Sequence, residues 1–337
     1  MIYIVLSLIL NLIIILNYKK ISGFLGIYDY PDKIRKIHSN KVSLIGGVII
    51  YINFFLLLIF VIFVSDFFDE NLKSFFIKKS IFQNLFFISS LIMLMGIFDD
   101  KKNLNANIKF IILLILTYLV LKLNNDLIIQ SIIFNSINYE FHTHNYGTFF
   151  TILCFLLFIN ASNMYDGINL QIGPYFIFIF FTFIFKLDLF LFSIAFLIPL
   201  FTFCYLNYSG KIFIGNSGAY FVSFLVASIF ILQNNFTNKI SPEEIFLIMS
   251  IPGLDMLRLF IYRILKKRNP FSADKKHLHH YMIENFNIRV SQVYILVINI
   301  IPFCLYQFYE SLFVIFITIA AYILLYILLS IKKNKKC

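Results

Sequence analysis

The chain has 337 residues, of which 60% are hydrophobic and 13% charged, with a mean hydropathy of +0.87. Soluble domains carry roughly 45–50% apolar and 25% charged residues, so a soluble enzyme or binding module is excluded and an integral membrane protein remains. The formal charge of +11 does not call for a nucleic-acid partner, because in a membrane protein the placement of Lys and Arg sets orientation.

Apolar runs able to cross a bilayer, about 17–25 residues with some tolerance, fall at roughly 2–17, 44–64, 80–98, 109–123, 148–164, 172–186, 188–207, 213–232, 243–262, 292–308 and 312–330. The pattern predicts an all-α polytopic membrane protein of about eleven transmembrane helices, forming a single domain over 1–337. The first run lacks a basic start and a small-residue cleavage site, so it reads as a retained span. With the N-terminus outside, the loops at about 18–43, 99–108, 165–171, 208–212 and 263–291 and the C-terminal tail are cytoplasmic and hold most of the Lys and Arg. The outer side keeps Lys73, Lys78, Lys79, Lys122, Lys186 and Lys239, which fits the positive-inside rule. Cys154, Cys204 and Cys304 sit inside apolar runs and Cys337 at the end, without disulfide or zinc spacing, so core packing is their expected role.

Every unexplained polar cluster falls on the cytoplasmic face. In the first loop, Arg35, Lys36 and His38 can hold an anionic headgroup, Arg being suited to bidentate phosphate contact, or can simply be positive-inside charge. Gly46-Gly47 permits close helix approach. The third run ends in Asp99-Asp100, followed by Asn103, Leu104 and Lys109. A charge close to hydrocarbon is costly, roughly 2.5–3.5 kcal/mol at a helix centre, so a carboxylate pair at the end of a span either is a solvated loop start beside lysines or works with Mg2+ on a phosphate. Lys109 either snorkels to the interface or contacts phosphate. On the outer side, residues 124–146 alternate as a short hairpin, and His142 and His144 receive no chemistry.

The fifth run closes with Asn160, Asn163, Asp166, Gly167 and Asn169. Asn160 and Asn163 share a helix face and can point into one site or bond neighbouring helices. Gly215-Asn216-Ser217-Gly218 opens the eighth run with glycines that allow close backbone approach. Beyond Asp255 and Arg258 in the ninth run, the last loop carries Arg263, Arg268, Pro270-Phe271-Ser272-Ala273-Asp274 and the histidines His277, His279 and His280. Three histidines suggest zinc, but no fourth ligand is evident; diphosphate binding suits them better.

In this order the cytoplasmic motifs resemble the polyprenyl-phosphate N-acetylhexosamine-1-phosphate transferases, relatives of phospho-MurNAc-pentapeptide translocase, from Gly26 to His280. The resemblance implies transfer of a sugar 1-phosphate from a UDP-sugar to undecaprenyl phosphate, with release of UMP, in the bacterial cytoplasmic (inner) membrane, starting a surface glycan. It implies Mg2+, with Mn2+ as a substitute, held near Asn163 and Asn216. Asp99 and Asp100 would assist the metal or activate the lipid phosphate, and Lys109 would contact phosphate. Asp166 and Asn169 would line the nucleotide pocket, while Arg268, His277, His279 and His280 would meet the diphosphate and sugar. Asn103 and Asn160 complete the expected substrate-binding set. A homodimer stays open.

Asn216 stands where the family carries Asp, Asn169 replaces the second Asp of its motif, and Ser43 replaces a Pro. The change at Asn216 admits a catalytically weakened paralogue that binds lipid phosphate or nucleotide sugar. A transporter ranks lower, since the charges gather at one face instead of the midplane.

Overall fold

The computed structural model describes residues 2–31, 38, 40–63, 79–272 and 274–334. Arg35 and Lys36 lie outside the described residues. In chain order the elements are α1 (Ile2–Leu25), β1 (Tyr28–Asp29), β2 (Val42–Ser43), α2 (Gly46–Phe63), α3 (Lys79–Lys102), α4 (Ala106–Leu123), β3 (Ser131–Phe134), β4 (Tyr139–His142), α5 (Gly147–Tyr165) and α6 (Ile172–Leu187). They continue with α7 (Phe190–Tyr208), α8 (Gly215–Phe236), α9 (Pro242–Ile248), α10 (Ser250–Leu265), α11 (Leu278–Asn285), α12 (Ile288–Tyr306) and α13 (Ser311–Asn334).

Each expected apolar run is helical, and among the described residues nine helices are long and apolar enough to cross a membrane. Two runs differ from the simple picture. The sixth, α6, has 16 residues and reaches only about 24 Å at 1.5 Å per residue. The ninth is broken into α9 and α10, which meet at 73°. Pro252 explains the break: it has no amide to donate and its ring crowds the carbonyl four residues back. A capping box of Ser241 and Glu244 with Pro242 behind it starts α9.

The all-α expectation needs correction by two small antiparallel sheets, β1–β2 and β3–β4; the second is the hairpin foreseen in 124–146. The loops are also shorter than expected. Helix α1 extends to Leu25, and α3 runs through Lys102, placing Asp99 and Asp100 in its last turn rather than in a loop. Within 263–291 the histidines sit at the start of α11.

Helix α8 is the hub, 94% buried over its apolar window, and α2, α3 and α5 pack around it. Small residues allow this approach. A Cβ on Gly96 would lie 2.3 Å from Ser217 Cα, and one on Gly47 2.3 Å from the amide of Gly218, so backbones touch as they do at small-residue seams in membranes. Phenylalanines fill the spaces between helices; Phe180 and Phe196 stack with centroids 4.6 Å apart. In α1 and α13, by contrast, Leu8, Leu12, Leu16, Phe316, Leu324 and Leu328 face outward, as lipid-facing surfaces require. Between α1 and α2 the buried polar groups satisfy one another: Ser7 and Asn11 both donate to Asn53 Oδ1, at 2.6 and 2.8 Å.

Candidate active site

The helices alternate direction, so the segments after α1, α3, α5, α7 and α10 gather at one end of the bundle. Backbone hydrogen bonds lock them together. Phe213 donates to Ser43 O at 2.8 Å, and Gly46 and Gly47 donate to the carbonyls of Phe213 and Ile214. Asn207 accepts from Leu170 N at 2.7 Å and donates to Ile212 O at 2.8 Å, which fixes the segment after α5 against the segment after α7. Asn269 donates to Asn107 at 2.9 Å, and the ring of Phe271 lies between Phe110 and Phe260. The segment after α10 is thereby seated on α4.

The carboxylates occupy the middle of this end. Asp99 is fully buried; its Oδ1 accepts from Leu104 N at 2.9 Å and Lys109 Nζ lies 2.8 Å from Oδ2. Among the described residues no aligned hydrogen bond reaches that Oδ2, and the Lys109 contact is a charge–charge pairing. Asp100 acts differently. Its Oδ1 accepts from Asn216 N at 2.8 Å, and its Oδ2 from Ser217 N at 3.1 Å and Ser217 Oγ at 2.7 Å. Helix α8 has no side-chain cap of its own, so Asp100 caps it from another helix, placing a negative charge where the helix dipole is positive. Gly215, at φ +74°, leaves the room: a Cβ there would sit 2.6 Å from Asp100 Oδ2.

Asp166 follows the last residue of α5 and is partly buried. No hydrogen bond or ion pair reaches its carboxylate among the described residues. Burial first, and then the charge of Asp100, push it up to about 7. Carboxylates held this way without a neutralising partner fit a hard divalent cation, which prefers oxygen ligands. Among the described residues no three His, Cys, Asp or Glu side chains are arranged to hold a metal by themselves.

The histidines form a third group. His277 and His279 lie nearly parallel, with centroids 5.2 Å apart, and His280 is 4.4 Å from His279. His279 packs on Gly167, one residue from Asp166. Burial, and then the neighbouring imidazoles of His277 and His280, hold His279 well below the usual histidine range. Two residues outside the expected set support this group. Asp255 accepts from Arg258, Tyr322, His277 and Leu278. Arg263, 2% exposed, donates to Asp274 at 2.9 Å and to Pro270 O. Ionisable residues inside an apolar run mark function by default, and that signal was available for Asp255 and Arg258.

The other expected residues are spread around this end. His38 lies 3.5 Å from Asp29 and edge-on to Phe213. Asn103 is exposed at φ +48°, its amide on Asp99 O. Asn160 donates back to Leu156 O of its own helix at 2.7 Å. Asn163 and Asn216 are partly buried. Asn169 is held by Asn207 at 3.5 Å and, through its carbonyl, by Gln292 at 2.8 Å. Arg268 is exposed, with its backbone amide on Arg263 O.

A bundle of apolar helices with acidic, amide and imidazole side chains gathered at one end defines a polytopic membrane protein with a polar site at that end. Residues 82–234, spanning α3 to α8, match the glycosyl transferase family 4 profile. It is 23% identical over 279 residues to the undecaprenyl-phosphate alpha-N-acetylglucosaminyl 1-phosphate transferase of Salmonella typhi, covering 78% of this chain and 70% of that protein. With the Escherichia coli (strain K12) protein of the same description it shares 24% identity over 274 residues, covering 78% and 70%. A probable undecaprenyl-phosphate N-acetylglucosaminyl 1-phosphate transferase of Bacillus subtilis (strain 168) is 26% identical over 284 residues, covering 82% and 75%.

Proposed function

We propose that the chain transfers N-acetylhexosamine 1-phosphate from a UDP-sugar to undecaprenyl phosphate at the cytoplasmic face of the bacterial inner membrane, beginning a lipid-linked surface glycan. The observation that carries this reading is the Asp166 carboxylate between Asp100 and the histidine group, without a hydrogen-bond or ion-pair partner among the described residues, in a chain that matches this family's profile. In the reaction an oxygen of the lipid phosphate attacks the phosphorus that bears the sugar. The bond from that phosphorus to the bridging oxygen breaks, and the oxygen leaves with UMP; the product is a lipid diphosphate sugar.

The chain's own groups fit this step. Lys109 supplies positive charge and the imidazoles supply hydrogen-bond donors around a diphosphate, where fixed electrostatics does most of the catalytic work. Asp99, paired with Lys109, holds that cation in place, and Asp100 fixes the start of α8 and with it Asn216. The segment from Asp166 to Asn169 lines the nucleotide side. Asp166, with Asn163 and Asn216, would hold Mg2+ or Mn2+, which when bound neutralises phosphate charge.

A second reading rests on Asn216, where an amide replaces a carboxylate: the scaffold binds lipid phosphate or nucleotide sugar with little turnover. UMP release by purified protein in detergent, with undecaprenyl phosphate and a panel of UDP-N-acetylhexosamines, separates the two. Turnover by the native chain supports the transferase; turnover only after Asn216→Asp supports the binding role. No release from either protein refutes the transferase reading.

A further inference from the structure

The buried carboxylate of Asp255, on α10, has no part in the chemistry above, yet more donors converge on it than on any carboxylate already described. Oδ1 accepts from Arg258 Nη2 at 2.7 Å and from the Tyr322 hydroxyl at 2.9 Å. Leu278 N approaches both oxygens, at 3.2 and 3.3 Å, and His277 Nδ1 lies 3.2 Å from Oδ2. Arg258 Nε donates to the Tyr322 hydroxyl at 3.0 Å, so the hydroxyl proton is left for Asp255. Every group facing the carboxylate is thus a donor. Only an ionised, acceptor-only side chain satisfies all of them; an amide would turn its own N–H groups toward donors.

Two consequences follow for the histidine group. Opposite a carboxylate, Nδ1 of His277 must carry the ring proton, which leaves Nε2 on the edge facing away from α10. At the same time Leu278 N is held, and with it the start of α11, which carries His279 and His280. The His277 ring lies parallel to that of His279, at 11° between planes, and His279 is the ring seated on Gly167. The anchor itself is rigid. Arg258 donates to Lys276 O and its guanidinium lies 4.1 Å from the centre of the Tyr326 ring, so α10, α13 and the histidine segment meet at one carboxylate.

We infer that Asp255 is a positioning residue: it keeps a proton on Nδ1 of His277, so that when Nε2 also carries one its N–H is turned to the diphosphate, and with Arg258 and Tyr322 it fastens the histidine segment to α10 and α13. What His277 meets rests on the transferase reading; the protonation pattern rests on the geometry alone.

The test has two arms. In the first, UMP release is measured with UDP-N-acetylglucosamine and undecaprenyl phosphate for the native protein, Asp255→Asn, His277→Gln and the double variant. Asp255→Asn should lower kcat on the order of 100-fold, as loss of an orienting partner does, with KM for the nucleotide sugar changed by less than about threefold. In the His277→Gln background the same change should cost less than about tenfold, the part that acts through Leu278 N and the start of α11, because the part shared with His277 is already lost. Full retention of kcat, a loss confined to KM, or losses that multiply in the double variant would each overturn the inference. In the second arm, native protein labelled with [15N]histidine is examined by NMR, the His277 signals being identified by their absence in His277→Gln. Protonated Nδ1 supports the inference, and a neutral ring protonated only at Nε2 overturns it. This arm decides the question even if Asp255→Asn fails to fold, or if the native protein releases no UMP and the transferase reading falls.

Discussion

Gly167 and His279 compete for the same space: a Cβ built on Gly167 would lie 2.0 Å from both Cε1 and Nε2 of the imidazole. Gly167 has no positive φ, so glycine is needed here for room and not for backbone freedom. The contact joins the segment bearing Asp166 to the helix bearing the histidines. Gly167→Ala should therefore displace the His279 ring, lowering UMP release by at least about tenfold, and overpacking should cost about 1–3 kcal/mol. Gly253→Ala is the control. Nothing lies within 4 Å of its added methyl, and a helical Gly→Ala change gains roughly 0.5–1 kcal/mol. Equal turnover in the two variants would refute the steric argument.

Asp100 and Asp99 are adjacent in sequence but differ in task, and substitutions should separate them. Ser217→Ala removes one of three hydrogen bonds on Asp100 and should cost about 1 kcal/mol. Asp100→Asn also removes the charge at the helix start and turns an amide N–H toward backbone donors, so it should cost about 2–3 kcal/mol and abolish turnover. Asp99→Asn should abolish turnover as well, by releasing Lys109. Thermal unfolding alongside UMP release checks both halves; full activity in Asp99→Asn and Asp100→Asn would remove their assigned roles.

Much of this site was legible because polar residues stand out in an apolar chain. The Asp99–Asp100 pair, Asn163, Asp166 and the three histidines were all conspicuous against their runs, and the alternation of the helices brings their segments to one end. What the sequence concealed is division of labour. Nothing in Asp99-Asp100 says that one carboxylate meets Lys109 while the other caps a helix more than a hundred residues away. The buried anchors Arg263 and Asn207 read as ordinary interfacial polar residues until their partners were fixed by the fold. The break between α9 and α10 was signalled by Pro252, but an apolar run of spanning length masked it.

The depressed His279 gives the protein an acid-sensitive element. Its folded-state pKa lies well below the usual 6.5, from burial first and then from the charges of His277 and His280, with Asp255 opposing them. The unfolded chain therefore binds the proton more readily, so stability is full above about pH 6.5 and falls as pH drops toward the folded value. Thermal unfolding scans from pH 7.5 to 5.5 should show a falling midpoint. His279→Gln should flatten that slope, since the remaining histidines are unchanged; an identical slope in the variant would exclude His279 as its source.

Arg263 makes the last prediction. Its buried guanidinium donates through Nε to Asp274 and through Nη1 to Pro270 O, closing the segment between α10 and α11 from inside. Burial works to raise Asp274, but the hydrogen bonds from Arg263 and from Lys276 N outweigh it and hold the carboxyl below its usual value. That contribution is present above the unfolded pKa and is lost as pH falls through the lower folded one, so it is complete at neutral pH. A lysine keeps the charge but lacks the planar fork that reaches two acceptors, and Arg263→Ala leaves Asp274 without its cation, a loss of roughly 3–5 kcal/mol for a buried pair. The segment should then open before the bundle does. Limited trypsin digestion in detergent should cut Arg263→Ala, and to a lesser degree Arg263→Lys, after Lys275 or Lys276 at concentrations that leave the native protein intact. Resistance equal to native in both variants would show that the segment is held by Phe271 and Asn269 instead.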